Sequence, residues 1–352
     1  MKKITASILI LCVCLAFISC GEQATNITNK TRNRTVSSIY FNTHSQISTY
    51  ADKTDENIEN YVKIADEVLS YYHELFDIYY EYSGINNIRT VNKNAGKSPV
   101  KVDTEMIDFL EYCKELYTLT NGKTNVMLGS VLKIWHDCRE EATENFGYLS
   151  PEALPTDEEL TEAALHTSID SLVIDREAST VYISDPDASL DVGAVAKGYT
   201  VDILYQRLKA VGADSVVLNI GGNIRTIGLK PDGNLWVTGI TNPDRQSDEP
   251  LIRRLKIGEI SLVTSGDYER YFVSADKTYH HIIDSETLKP AEYFSSVSIL
   301  TENSGLADAL STALFCMSYE DGLALVSEIG NVEVIWITKD GTVRITDGVQ
   351  LV

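Results

Sequence analysis

The sequence lacks the features that mark a disulfide-rich, zinc-binding or nucleic-acid-binding protein. After the N-terminal segment it has three cysteines, Cys113, Cys138 and Cys316, and no C-x-x-C pair. This odd number predicts buried thiols and excludes a disulfide framework or a zinc site. The formal net charge of -21 argues against nucleic acid as a partner and against a polybasic membrane patch. An anionic ligand would therefore need local cations, which favours a bound metal ion.

The N-terminus is typical of a targeting segment. Residues 1–19 combine two lysines with an apolar run that is short for a membrane span, which predicts a signal peptide. Phe-Ile-Ser-Cys at residues 17–20 resembles a lipobox, so Cys20 is the predicted lipidation site, with an ordinary cleaved signal as the alternative. The expected location is the outer face of the cell membrane, anchored in the lipid bilayer through Cys20.

The rest of the chain is predicted to divide into a tether and one functional domain. Residues 20–36 are polar and poor in apolar side chains, which predicts a flexible tether. Residues 37–352 form the domain, and an acidic, turn-rich junction predicts an N-terminal lobe of about 37–150 and a core lobe of about 157–352. Helical periodicity or composition predicts helices at about 55–76, 104–119, 158–165, 304–318 and 321–329.

Short strands follow one another between these helices. "SLVIDREASTVYIS" predicts a hairpin, and four further strand-like runs lie between residues 215 and 285. Adjacent strands with helices clustered between them predict an α+β fold rather than a doubly wound α/β fold.

Two glycine-containing turns are candidate ligand contacts. "DVGAVAKGYTVDIL", residues 191–204, places Asp191, glycines and Lys197 between a strand and a helix, where bare backbone and helix N–H groups suit a phosphate. A helix start capped by Asp191, with Lys197 in solvent, is the alternative. "NIGGNI", residues 219–224, is either a second contact or only a turn or bulge.

A histidine motif and a helix motif carry the chemistry. In "TSGDYERYF" and "YHHIID", Arg270, His281 and Asp284 could form a site with a histidine between a carboxylate and an anionic substrate. Adjacent histidines in a strand face opposite sides, so only one should face the site. In "ADALSTA", Asp308 and Thr312 lie one turn apart on an apolar helix as hard oxygen donors suited to Mg²⁺, with a cap or surface role as the alternative.

These five motifs, in this order from Asp191 to Thr312, resemble the ApbE family of FAD:protein FMN transferases. The resemblance implies an α+β, T-fold-like architecture of antiparallel sheets packed with helices, in a secreted and often lipid-anchored protein. It implies Mg²⁺-dependent transfer of FMN from FAD to a threonine of an acceptor protein through a phosphoester bond, with release of AMP. The acceptor would be a separate protein with a flavinylation threonine motif, such as a redox subunit at the same membrane.

The resemblance also assigns residues to roles. The Ala194 main-chain oxygen, Asp308 and Thr312 would hold the metal ion. His281, oriented by Asp284, would take the proton of the threonine hydroxyl, and Arg270 would act electrostatically; an alternative role for Asp284 is to fix the strand. The expected FAD contacts are Phe41, Tyr79, Met127, Leu128, Gly129, Asp191, Lys197 and Ile282.

The sequence departs from the family pattern at three places. Asp284-Ser285-Glu286-Thr287-Leu288 lacks the usual proline and glycine, Phe41 replaces a methionine, and Ser311 stands where some relatives have an acid.

Two other functions would use the same site: hydrolysis of FAD to FMN and AMP, and binding of FAD without turnover by an extracytoplasmic lipoprotein.

Overall fold

A computed structural model describes residues 32–50 and 56–352. The predicted signal peptide, Cys20 and the tether as far as residue 31 lie outside the described residues. The first strand begins at Arg32, within the segment predicted as a tether. None of the helices in the described ranges has the length and apolarity needed to cross a membrane.

Eight helices are present in the described ranges. They are α1 (Glu56–Phe76), α2 (Ile88–Lys93), α3 (Thr104–Leu119), α4 (Gly129–Glu144), α5 (Asp157–Ala164), α6 (Ala196–Ala210), α7 (Ser304–Phe315) and α8 (Tyr319–Ile329). The strands are β1 (Arg32–Tyr40), β2 (Thr43–Tyr50), β3 (Val100–Lys101), β4 (Leu172–Asp175), β5 (Thr180–Ile183), β6 (Val216–Ile220), β7 (Asn223–Ile227), β8 (Trp236–Thr241), β9 (Leu251–Ile257), β10 (Ser261–Gly266), β11 (Tyr271–Ser274), β12 (Lys277–His280), β13 (Phe294–Thr301), β14 (Glu333–Thr338) and β15 (Val343–Ile345).

One eight-stranded sheet organises the molecule. Its order is β1-β2-β6-β7-β10-β13-β14-β15, and every neighbouring pair is antiparallel. Smaller sheets pair β11 with β12, β8 with β9, and β3 and β4 with β5. Antiparallel strands with helices packed on them confirm the predicted α+β class.

Helices α6 and α7 cross on the sheet and bring two of the motifs together. α7 packs on β10 and β13, and α6 packs on α7. α7 is buried almost all round because its apolar face meets the sheet while Gly305 and Ala309 face other elements. The two lobes predicted from sequence remain a prediction, although β2 of the first pairs with β6 of the second.

Most predicted elements are present, and one long helix was missed. α1, α3, α5, α7, α8 and the β4–β5 hairpin lie within a few residues of their predicted bounds, and the three cysteines are buried free thiols. α4 was not predicted. Its buried face has helical spacing and consists of Val131, Trp135, Cys138 and Ala142. The residues at its start were assigned only as FAD contacts, so no helix was predicted there.

Candidate active site

Gly198 permits the close crossing of α6 and α7. A Cβ atom at this position would lie 2.2 Å from the carbonyl oxygen of Ser304 and 2.7 Å from the Cβ of Asp308. Asp202, one turn later, accepts the N–H groups of Ser304 and Gly305, at 2.9 and 2.8 Å, at the start of α7. The prediction that the glycines of this turn free backbone for a ligand stays a prediction; the structure adds that Gly198 lets one helix touch the other.

Asp308 is the carboxylate at this crossing. Its side chain is only 6% exposed. Its Oδ2 accepts the Gly198 N–H at 2.8 Å, and its Oδ1 lies 3.4 Å from the ammonium of Lys197. A buried carboxylate is costly without compensation, and here backbone and a cation compensate it. Lys197 is therefore an ion-pair partner of Asp308 and not a free surface lysine.

The same hydrogen bond leaves a main-chain oxygen available. In a regular helix the Gly198 N–H would donate to the carbonyl oxygen of Ala194, four residues earlier. It donates to Asp308 instead, and no other backbone N–H among the described residues donates to Ala194. One turn beyond Asp308, Thr312 is partly exposed, whereas the neighbouring Ser311 is buried and bonds to Ser265 and to the Asp308 carbonyl. Carbonyl, carboxylate and hydroxyl oxygens thus belong to one crossing of two helices.

Asp191 lies in the turn before α6 but does not cap the helix. The helix begins after Val195 without a side-chain cap. The Asp191 Oδ1 accepts the Gly193 N–H at 2.9 Å, and the Asp191 N–H donates to Val126. The capping alternative for Asp191 is therefore wrong. Gly221 and Gly222 form the tight β6–β7 turn, both with positive φ, as the turn alternative predicted.

A chain of polar groups links Asp191 to Tyr79. His136 of α4 places its Nε2 3.7 Å from the Asp191 Oδ2 and its Nδ1 3.4 Å from the Tyr79 hydroxyl. Burial lowers the pKa of His136 against the opposing effect of Asp191. Burial and Asp191 both raise the pKa of Tyr79. His136 was missed from sequence because it belongs to the helix that was missed.

Arg270 and His281 meet because β11 and β12 are antiparallel neighbours. The His281 N–H donates to the Arg270 carbonyl at 3.0 Å. His281 is half-buried, and its buried Nδ1 has no hydrogen-bond partner in the described part of the chain. Burial lowers the pKa of His281 well below its usual value, and the charge of Arg270 lowers it further. The ring is therefore neutral near pH 7, the form that accepts a proton.

His280 faces the other way, as predicted for adjacent strand residues. Its Nε2 lies 2.8 Å from the Ala291 carbonyl oxygen, and its ring meets Phe315 edge to face. Burial lowers its pKa to about 4. His280 is a core histidine, and His281 is the one near the polar residues.

Asp284 does not orient His281, which corrects one sequence prediction. Its buried carboxylate lies 3.1 Å from the Lys123 ammonium and accepts the Glu286 N–H at 3.0 Å. Lys123 also pairs with Glu286. The alternative was that Asp284 fixes the strand; the structure shows it holding the loop after β12, where this sequence lacks the proline and glycine of the family pattern. An ion pair and a hydrogen bond of Asp284 hold this loop, in place of the rigid proline ring of the family pattern.

The other predicted FAD residues are mostly enclosed. Met127, Leu128 and Ile282 have buried side chains in three different core clusters, so a ligand could reach only their main-chain atoms. Gly129 begins α4 against Ser189, whose carbonyl oxygen would lie 2.3 Å from an added Cβ. Phe41 lies in the β1–β2 turn at a φ of 52° and packs edge to face on His73. Among the described residues, Phe41 makes its hydrogen bond and ring contact with His73, and none with Asp191, His136 or Tyr79.

The comparisons with known proteins agree with this arrangement. A sequence model of the ApbE family matches residues 41–336. The chain belongs to the ApbE family. The FAD:protein FMN transferase of Treponema pallidum is 33% identical over 277 residues, covering 74% of this chain and 73% of that relative. The FAD:protein FMN transferase of Haemophilus influenzae is 28% identical over 344 residues, covering 96% and 94%.

Solved ApbE structures share the fold. The ApbE protein of Thermotoga maritima superimposes with a TM-score of 0.77 at 26% identity, covering 90% of this chain and 97% of that one. The flavin transferase ApbE of Vibrio cholerae gives a TM-score of 0.73 at 25% identity, with the same coverage. The predicted ApbE architecture is therefore confirmed.

Proposed function

We propose that this ApbE protein transfers FMN from FAD to a threonine hydroxyl of an acceptor protein and releases AMP. The curated relatives named FAD:protein FMN transferase support the reaction. The observation that carries it is a pair of neighbouring polar groups in a chain of net charge -21. Three hard oxygen groups and Lys197 lie at the helix crossing, and His281, whose pKa the charge of Lys197 also lowers, lies next to Arg270. Such a site suits a pyrophosphate, which needs cations and a group that accepts a proton.

The residues at the helix crossing fit Mg²⁺. The Asp308 carboxylate, the Thr312 hydroxyl and the Ala194 carbonyl oxygen are donors that Mg²⁺ prefers, and the Ala194 oxygen has lost its helical partner to Asp308. When bound, Mg²⁺ would neutralise charge on the pyrophosphate oxygens. Three protein ligands leave coordination positions for substrate oxygens and water. Lys197, now paired with Asp308, would then be free to meet a phosphate oxygen.

The reaction needs a group that removes the threonine proton. His281 is neutral near pH 7 and has an unpartnered Nδ1, so it is the proposed base. Arg270, whose carbonyl accepts the His281 N–H, adds positive charge next to it. Tyr79, joined to Asp191 through His136, is the proposed aromatic contact for a ring of FAD.

The test is covalent labelling of an acceptor. The full chain is mixed with FAD, Mg²⁺ and a candidate acceptor that carries a flavinylation threonine, such as a redox subunit of the same membrane. A fluorescent acceptor band that survives denaturing electrophoresis, with FMN on threonine by mass spectrometry, is the expected result. FMN and AMP without labelled acceptor would identify a hydrolase, and intact FAD would identify a binding protein.

We further propose that the protein acts on the outer face of the cell membrane, held there by lipid on Cys20. The support is the signal-like and lipobox-like sequence of residues 1–20. Cys20→Ala should move the protein from the membrane fraction to the soluble fraction without changing transfer in vitro. Retention of this variant in the membrane would contradict the anchor.

A further inference from the structure

Helix α4 places a second cation beside the proposed FAD site. Arg139 follows His136 by three residues, which puts both on one side of the helix. Arg139 lines a closed cleft, too small to admit a water molecule, together with Arg270 and His281. None of the sequence motifs includes Arg139, because it lies on the helix that the sequence analysis missed.

The two arginines lie together without a carboxylate partner. Among the described residues, neither Arg139 nor Arg270 has a carboxylate within ion-pairing distance. Arg176 shows the contrast, since its guanidinium lies 2.7 Å from Asp108. Asp191 is the nearby acid, and its Oδ2 faces His136 at 3.7 Å.

Their positive charges act on each other and on the histidine. Burial lowers the pKa of Arg139, and Arg270 lowers it further against the opposing effects of Tyr79, Asp191 and Glu140. Burial lowers the pKa of His281, with smaller contributions from Arg270, His280 and Arg139. Like charges kept together in a chain of net charge -21 cost free energy that a bound anion would remove.

We propose that Arg139 and Arg270 bind the phosphate group of the AMP half of FAD, which makes Arg139 a phosphate-binding residue of this enzyme. The inference rests on the proposed FMN transfer and assigns a place to the leaving group. The cleft has no room for a phosphate, so the phosphate would bind at its outer edge, where Arg270 is exposed and Arg139 is half-buried. Two guanidinium groups offer paired N–H donors that match phosphate oxygens.

The proposed reaction explains why two arginines would lie beside the AMP phosphate. A bond forms between the threonine oxygen and the phosphorus of the FMN half, and the bond from that phosphorus to the bridging oxygen breaks. The electron pair of the broken bond stays on the bridging oxygen, which leaves as part of AMP, while the threonine proton goes to His281. Negative charge therefore grows on the AMP phosphate, where two fixed cations stabilise it.

Equilibrium binding to the full chain tests the inference without an acceptor. The probes are AMP, adenosine and inorganic phosphate, each titrated by calorimetry in the presence of Mg²⁺. Arg139→Gln should weaken AMP binding about tenfold or more and leave adenosine unchanged. Arg139→Lys should keep part of the affinity, and Arg270→Gln should behave as Arg139→Gln does. Inorganic phosphate should bind weakly and lose affinity in the same variants.

Lys133→Gln is the matched control. It removes one positive charge from the exposed side of the same helix, where Lys133 pairs with Asp137, and should leave AMP affinity within about twofold of the parent. Thermal melting checks that each variant is folded. If Arg139→Gln does not fold, Arg139→Lys and Arg270→Gln carry the same comparison.

Several outcomes would overturn the inference. They are unchanged AMP affinity in folded Arg139→Gln, an equal loss for adenosine and AMP, phosphate binding that ignores both arginines, or no AMP binding by the parent. FMN transfer by the parent together with unchanged AMP affinity in the variant would overturn this inference and leave the proposed function standing. Absence of FMN transfer by the parent, with AMP bound through Arg139, would instead contradict the proposed function.

Discussion

Two regions of the candidate site handle charge in opposite ways. At the helix crossing, the buried Asp308 is compensated by a backbone N–H and by Lys197. At the cleft beside α4, Arg139, Arg270 and His281 lie together, and no carboxylate pairs with either arginine among the described residues. The crossing also holds Asp202 at the start of α7, so its carboxylates outnumber Lys197, whereas the arginines outnumber Asp191 at the cleft. This difference fits the proposals that the crossing binds a metal cation and that the cleft meets a phosphate.

The largest expected effect comes from removing the Asp308 charge. Asp308→Asn keeps an oxygen that can accept the Gly198 N–H, so the helix crossing should survive while the carboxylate is lost. Transfer of FMN at saturating FAD should fall on the order of 10²–10³-fold. Rates measured over a range of Mg²⁺ concentrations check this. Asp137→Asn, on the exposed side of α4, is the control. Equal transfer rates in the two variants would show that Asp308 has no role in the reaction.

The next effect tests whether the crossing depends on close backbone contact. In Gly198→Ala, the new Cβ meets the Ser304 carbonyl oxygen at 2.2 Å, so the helices must separate. We expect a loss of about 1–3 kcal/mol in the free energy of unfolding, together with reduced transfer. Gly258→Ala is the control, because its Cβ would lie 3.7 Å from the nearest atom, in Leu235. Equal thermal midpoints for the two variants would contradict the packing argument.

A smaller effect probes the link between the two regions. Tyr79→Phe removes the hydroxyl that lies 3.4 Å from the His136 Nδ1 and should raise the KM for FAD about threefold to tenfold with little change in kcat. Steady-state kinetics measure both constants. Tyr80→Phe removes the same group from the more exposed neighbouring tyrosine. An increase in the KM for FAD that is as large in Tyr80→Phe as in Tyr79→Phe would contradict the proposed contact between Tyr79 and FAD.

The smallest effect is on the pH dependence of stability. His281 and His280 have folded pKa values below that of a free histidine, the latter at about 4, so the unfolded chain binds more protons below about pH 6.5. Their contribution is complete above that pH and declines as pH falls toward the folded pKa values. His281→Asn should therefore flatten the decline in thermal midpoint between about pH 7 and pH 5. Parallel curves for parent and His281→Asn would contradict this.

The two regions also differ in how far sequence reasoning reached them. Asp308 and Thr312 were found because a carboxylate on an apolar helix is conspicuous, and their one-turn spacing needs no tertiary information. Arg139 and His136 were missed because a charged residue on an amphipathic helix looks like any solvated one. Asp284 was placed in the right segment with the wrong partner, because Lys123 is 161 residues away in sequence. Sequence spacing cannot show such a contact.

The sequence by itself determined the α+β class, most helix bounds, the buried thiols and the family, because periodicity, spacing and ordered motifs are local properties. Only the tertiary structure decided which groups compensate which charges. It showed that Gly198 allows α6 and α7 to pack closely. It showed that the Gly198 N–H donates to Asp308 rather than to the Ala194 carbonyl oxygen, and that two arginines from distant segments line one cleft. The physical reason is that charge and hydrogen bonding act across space, between residues whose separation along the chain carries no signal.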